Sequence, residues 1–174
     1  MASFALRKAD IHRLFELLNE ELEQVNVEGE LYLVGGAVMC LAFDARPATR
    51  DVDALFVPTK AIREAAARVA VRAGVPDQWL NDAVKGYLSD RGDFLSFLER
   101  DHLRVFIAQP AYLLAMKCVA LRIGEQFHDI DDIRYLLRYL NVTTVEEALG
   151  IVRQYFDDER ILPKTRLALE ELLS

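Results

Sequence analysis

Asp51 and Asp53 are the residues in this chain whose type and spacing point most directly to chemistry. On a β-strand, residues i and i+2 project from one face, so the two carboxylates stand side by side and repel unless a cation joins them. Magnesium suits such a pair, because it prefers hard oxygen ligands, takes one or two protein carboxylates and completes its shell with water and phosphate. Gly35-Gly36 precedes the pair by fifteen residues and closes an apolar run. Glycines at that point let backbone N–H groups and the positive end of a following helix come close to a phosphate. Lys117 and Arg122 are the two charges in the apolar stretch Ala111 to Ile123, where a lysine is costly unless its ammonium is paired or reaches water. Asp129 and Asp132, three apart, share a helix face that a short turn after Ile123 can bring beside Lys117, whereas Asp131 points elsewhere. Taken singly, each feature has a plainer explanation. Asp51 and Asp53 read as a solvated strand start and the glycines as a tight turn. Lys117 reads as a snorkelling side chain, and the later aspartates as a cap and first-turn acids.

The elements that would position these groups follow from periodicity. Leu6, Ile11, Leu14, Phe15, Leu18 and Leu22 recur at helical spacing, so residues 4–25 are expected to form an amphipathic helix with an acidic outer face. Leu31 to Val34, Gly35-Gly36 and Ala37 to Phe43 read as strand, turn and helix; Asp51 to Val57 reads as a second strand and Lys60 to Ala73 as a helix closed by Gly74. Asp77 to Tyr87 is expected as a short helix carrying Trp79, followed by strands at Phe94 to Leu98 and Leu103 to Ile107. From Pro110 the pattern is helical: Pro110 to Ile123, a turn at Gly124 to His128, a stripe of Ile130, Ile133, Leu137 and Leu140, a helix capped by Thr143 or Thr144, and a last one over 160–173. The expectation is an α/β fold, with a sheet-containing part over residues 1–109 followed by a helical region over 110–174.

Composition narrows the class. The chain has 174 residues, 52% of them hydrophobic and 28% charged, with 8 Gly and 5 Pro. That is a globular composition, and it excludes disordered, collagen-like and low-complexity classes. Apolar runs such as Leu31 to Leu41 are too short for a bilayer, and Arg7 and Lys8 are not followed by a signal-type apolar segment, so a soluble cytoplasmic protein without membrane partners is expected. Cys40 and Cys118 lie in apolar stretches and read as buried free thiols; His12, His102 and His128 lack metal-ligand spacing. The net charge of −7 argues against a general nucleic-acid coat. Its distribution is uneven. Residues 1–30 carry a net −4, whereas Lys60, Arg63, Arg68 and Arg72 against Glu64 give residues 59–74 a net +3.

Leu33-Val34-Gly35-Gly36-Ala37, taken with Arg46, Thr49, Arg50, Asp51, Val52 and Asp53, resembles the signature of the polymerase-β-like nucleotidyltransferase superfamily. Trp79-Leu80-Asn81-Asp82, Tyr112 to Lys117 and Asp129 to Ile133 extend the likeness to small bacterial nucleotidyltransferases related to abortive-infection and type IV toxin–antitoxin toxins, over roughly residues 30–140. The resemblance implies a nucleotidyltransferase-fold mixed sheet flanked by helices, with a C-terminal helical bundle. It implies magnesium on Asp51 and Asp53, a triphosphate held by Gly35, Gly36, Arg50 and Lys117, and Asn81 and Asp82 at the cleft. One of Asp129 and Asp132 would supply a further acidic group. The chain departs from the pattern at Leu103 to Ile107, which lacks the third carboxylate that many members carry; Glu99 and Asp101 are the nearest acids.

The expected activity is therefore transfer of a nucleoside monophosphate from a nucleoside triphosphate to an acceptor, with release of pyrophosphate. The resemblance makes RNA, specifically the 3′ end of transfer RNA, the expected acceptor, with the basic segment around Arg63, Arg68 and Arg72 guiding it, and implies a cognate antitoxin as partner. Two alternatives stand beside it: a nucleotide-binding or toxin–antitoxin interaction module that has lost transfer, and an enzyme that modifies a protein side chain.

Overall fold

Alternation of large apolar side chains makes the central strands. In a computed structural model of the chain, which describes residues 4–124 and 127–174, Leu31 and Leu33 of strand β2 (Gly29–Val34) and Val52, Ala54 and Phe56 of strand β4 (Val52–Val57) are fully or nearly fully buried. Their neighbours along each strand face the other way. The two strands pair antiparallel with Leu31 opposite Phe56 and Val34 opposite Asp53, and β2 pairs parallel with β7 (Leu103–Ala108), Leu31 beside Val105. Strand β6 (Phe94–Glu99) forms a hairpin with β7, and β5 (Leu80–Asn81) lies parallel to β4, giving the order β5-β4-β2-β7-β6.

Helices α1 (Lys8–Gln24) and α3 (Thr59–Ala73) pack together on the Leu31 face, where side chains of Leu22 and Ile62 both close on Gly29. Ile11, Leu14, Phe15, Leu18 and Leu22 form the buried stripe of α1. Each such side chain contributes about 1.5–3 kcal/mol on burial. That outweighs the exposed Arg72–Glu20 ion pair between the two helices, at about 0–1 kcal/mol. The helix starts later than its hydrophobic stripe suggests, because Leu6–Arg7 is a two-residue strand, β1, paired antiparallel with β3 (Ala48–Thr49). The Asp10 carboxylate then accepts from the Arg7 N–H at 2.8 Å and sets the first turn.

The helix expected over Asp77 to Tyr87 does not form. Two 3₁₀ turns, Asp77–Trp79 and Ala83–Tyr87, flank β5. Trp79 is fixed by burial and by its indole N–H donating to the Ala66 carbonyl at 3.0 Å, so tertiary packing overrides local helix preference here. Helix α2 (Gly36–Leu41) follows β2 directly.

These elements make one compact unit, residues 1–86 and 94–107; the second comprises 87–93 and 108–174. The boundary differs from a single cut at 109 because the segment 87–93 is tied into the helical unit. The Ser89 N–H donates to the Tyr112 hydroxyl at 3.0 Å, the Ser89 hydroxyl to the Tyr155 carbonyl, and Arg91 pairs with Asp157. Helix α4 (Pro110–Val119) is buried on all sides from Tyr112 to Val119, as expected of a helix apolar all round. It packs against α5 (Asp129–Tyr139) and α6 (Val145–Tyr155), and α7 (Pro163–Leu172) packs on α6. Helix α4 stops short of Ile123. The Thr144 hydroxyl accepts from the Glu147 N–H and caps α6, and a 3₁₀ turn at Asp158–Arg160 delays α7. Glu125 and Gln126, within the expected turn, lie outside the described residues.

Candidate functional site

In the first unit, Asp53 begins the outward set of β4, which continues through Leu55 and Val57, opposite in sense to the buried Val52, Ala54 and Phe56. Asp51 precedes it by two residues, about 6.6 Å along an extended chain. Parallel pairing of Asp53 with Asn81 brings the Asn81 amide onto the same face, where it donates to Asp51 Oδ2 at 3.2 Å. The short strand β5, absent from the helical expectation, is what puts Asn81 there. The backbone upstream is held as well: Thr49 is paired with Leu6, and its hydroxyl donates to the Asp51 carbonyl at 3.2 Å.

Both glycines are required by this arrangement. Gly35 has φ 75° and ψ −151°, a conformation essentially restricted to glycine, and a Cβ on it would lie 3.1 Å from Asp53 Oδ2. A Cβ on Gly36 would lie 2.6 Å from Arg46 Nη1 and 3.0 Å from Thr49 Oγ1. The turn therefore has a carboxylate against one glycine and a guanidinium against the other. Arg46 was not singled out as a site residue by sequence reasoning. It stands among the residues that carry the resemblance, without a role of its own there. Arg50 is exposed beside Asp51.

The pair fits magnesium in donor chemistry: two hard carboxylates on one half-buried face, with a backbone cradle and a guanidinium beside them. Among the described residues, no group of three or more His, Cys, Asp or Glu that could hold a metal comes together. Glu99 and Asp101 lie at the opposite end of the sheet. Asp53 is in register with Val34 and Leu103 with Gly29, five residues or about 16 Å away.

In the second unit, Lys117 is buried and its ammonium lies 2.8 Å from Asp132 Oδ2 and 3.2 Å from Asp129 Oδ1. The sequence left the choice between the two aspartates open; the fold brings both to the lysine. Asp129 Oδ2 also accepts from the Arg122 backbone N–H at 2.9 Å and from its Nε at 3.0 Å. Burial alone would raise the Asp129 pKa, but the Arg122 hydrogen bonds and the Lys117 charge outweigh it and hold the carboxyl below its usual 3.8. Asp131 is exposed and pairs with Arg134. The lysine of the apolar helix is thus a charge matched within its own unit.

The basic face of α3 is also spoken for. Arg63 pairs with Asp82 at 2.9 Å, Arg68 with Glu21 at 3.1 Å, and Arg72 with Glu20 at 2.9 Å and Glu21 at 3.3 Å. Two acids of α1 and two arginines of α3 thus meet across one helix contact. Asp82 likewise accepts from Arg63 and lies 3.6 Å from Lys85. No family model, curated protein or solved structure matches the chain.

Proposed function

We propose that the protein is a magnesium-dependent nucleotidyltransferase that moves a nucleoside monophosphate from a nucleoside triphosphate to an acceptor hydroxyl. The observation that carries this reading is the Asp53 carboxylate seated against Gly35, with the Asn81 amide, level with Asp53, donating to the Asp51 carboxylate beside it. A phosphate-accepting backbone turn and a cation-binding pair then serve one ligand. When bound, magnesium supplies charge neutralisation and polarisation of the phosphoryl oxygens. Gly35 and Gly36 give the triphosphate close access to backbone N–H groups, Arg46 and Arg50 offset its charge, and Asn81 orients Asp51. Lys117, Asp129 and Asp132 hold the helical unit together in this reading.

A second reading, a nucleotide-binding module without transfer, draws on one observation. Arg104 and Phe106 occupy the outward positions of β7, and Phe106 is stacked on Tyr32 at 4.9 Å where a third carboxylate would otherwise face the site. The discriminating experiment incubates the protein with each α-labelled nucleoside triphosphate and magnesium, measuring triphosphate binding by calorimetry and pyrophosphate release in the presence of soluble extract. Pyrophosphate release that disappears in the Asp51→Asn/Asp53→Asn variant supports transfer. Binding without release supports the module, and absence of binding rejects both.

A further inference from the structure

The identity of the acceptor is a separate question, and it rests on the transfer reading above. Three regions offer themselves. The basic face of α3 would suit RNA, but three of its four cations are paired with carboxylates. A cavity of about 560 Å³ in the helical unit, lined by Ile130, Leu167 and Leu172 with Arg134, Lys164 and Glu171, shows nothing of what would fill it. The third region is the outward row of β4, and it is continuous with the site.

Leu55 and Val57 follow Asp53 at successive outward positions and are 36% and 49% exposed. Beyond Asp53, the row runs for about 13 Å at strand spacing. Tyr32 lies directly opposite Leu55, and Glu30 opposite Val57. Burial, and then the hydrogen bond to Glu30, hold the Tyr32 phenol above its usual 10, so it is neutral. Glu30 accepts from that phenol at 2.9 Å and pairs with Arg104 at 3.5 Å. The path away from the carboxylates is therefore apolar, and it ends at the Glu30–Arg104 ion pair. A nucleic-acid strand on this path would bring a phosphate every few ångströms to a surface that offers it no run of cations. Most of the Lys and Arg side chains described in the rest of the chain already lie within ion-pair distance of a carboxylate.

We propose that the acceptor is a protein, which lays an apolar segment along Leu55 and Val57 and presents a Ser, Thr or Tyr hydroxyl at Asp51 and Asp53. The hydroxyl oxygen forms the bond to the α-phosphorus, the bond from that phosphorus to the bridging oxygen breaks, pyrophosphate leaves with its electron pair, and the hydroxyl proton passes to water. No oxidant or reductant enters the balance.

The test uses the full chain, magnesium and each α-labelled nucleoside triphosphate, with two acceptor pools: total RNA, and soluble extract freed of nucleic acid by nuclease. The expected result is label in the second pool that protease removes, and tandem mass spectrometry places it as a nucleoside monophosphate on Ser, Thr or Tyr. Leu55→Asp and Val57→Asp are expected to lower that labelling at least tenfold while the Kd for the magnesium–triphosphate complex changes less than about twofold. Leu55→Ser and Val57→Ser, checked for an unchanged melting transition, repeat the comparison if the aspartates disturb the strand. Label in RNA overturns this inference and leaves the transfer reading standing. So does triphosphate binding with label in neither pool, or protein labelling indifferent to both substitutions at each position. Failure to bind any triphosphate overturns the transfer reading itself and the inference with it.

Discussion

Two aspartate pairs in this molecule differ by one residue in spacing and almost entirely in circumstance. Asp129 and Asp132 are buried at a helix start, with Lys117 between them and Arg122 wrapped around Asp129. Asp51 and Asp53 are half-buried at the start of a strand, beside a neutral amide, a glycine turn and the Arg46 guanidinium. Two carboxylates with cations supplied by their own unit act as a fastener. In the proposed function, the pair set against the backbone cradle meets a cation and phosphate brought from outside. The residue type is the same, and the partner decides the role.

The largest effect that would sharpen this contrast is on activity. Asp51→Asn/Asp53→Asn is expected to lower pyrophosphate release by about three orders of magnitude, the equivalent of some 4 kcal/mol of transition-state stabilisation. The thermal transition should be unchanged or raised, because a repulsive pair is removed. Retained release would break the assignment.

Lys117→Met is expected to do the reverse. Removing the ammonium that pairs with both buried carboxylates costs about 3–5 kcal/mol, read as a lower urea midpoint, with no selective change in triphosphate affinity. A stable variant that no longer binds triphosphate would exchange the roles of the two pairs. The same cluster gives an acid signature. The Asp129 carboxyl has a folded pKa below its unfolded one, so its contribution to stability is full above about pH 4 and is lost as pH falls through the lowered value. Asp129→Asn should flatten that limb of the stability–pH curve, and an unchanged limb would remove Asp129 from the account.

Gly36→Ala is expected to cost about 1–3 kcal/mol, because the added Cβ meets Arg46 and Thr49. It should also raise the KM for triphosphate. At the small end, Arg63→Gln is expected to change stability by less than about 1 kcal/mol, since its pairing with Asp82 is largely solvated. It should leave RNA labelling, if any occurs, where it was.

How much of this was legible in the sequence depended on whether a local pattern decides the outcome. The strand–glycine–helix unit around Gly35, the strand carrying Asp53 and the burial of both cysteines were readable, because period-2 and apolar patterns there agree with the packing. The meeting of Asp129 and Asp132 with Lys117 was readable as a possibility from helix spacing. Three things were not readable. Strand β5 depends on Trp79 anchoring to Ala66, a long-range contact. Pairing of the α3 arginines with Glu20 and Glu21 depends on which helix lies beside which. Arg46 depends on the loop before β3 folding over Gly36. Charge counts along the chain cannot see across to the neighbouring helix.

The cysteines give each half of the molecule its own clock. Cys40 lies in α2 of the sheet-containing unit and Cys118 in α4 of the helical one; both are free and buried. Burial raises both thiols, that of Cys118 to about 12, so neither forms much thiolate near neutral pH while the fold holds. A pulse of alkylating reagent during denaturation therefore marks a cysteine only after its surroundings open. Peptide-resolved labelling at a series of urea concentrations would give two opening curves from one native, unmodified sample. Coincident curves would mean that the two units lose structure together; separated curves would say which of them melts first.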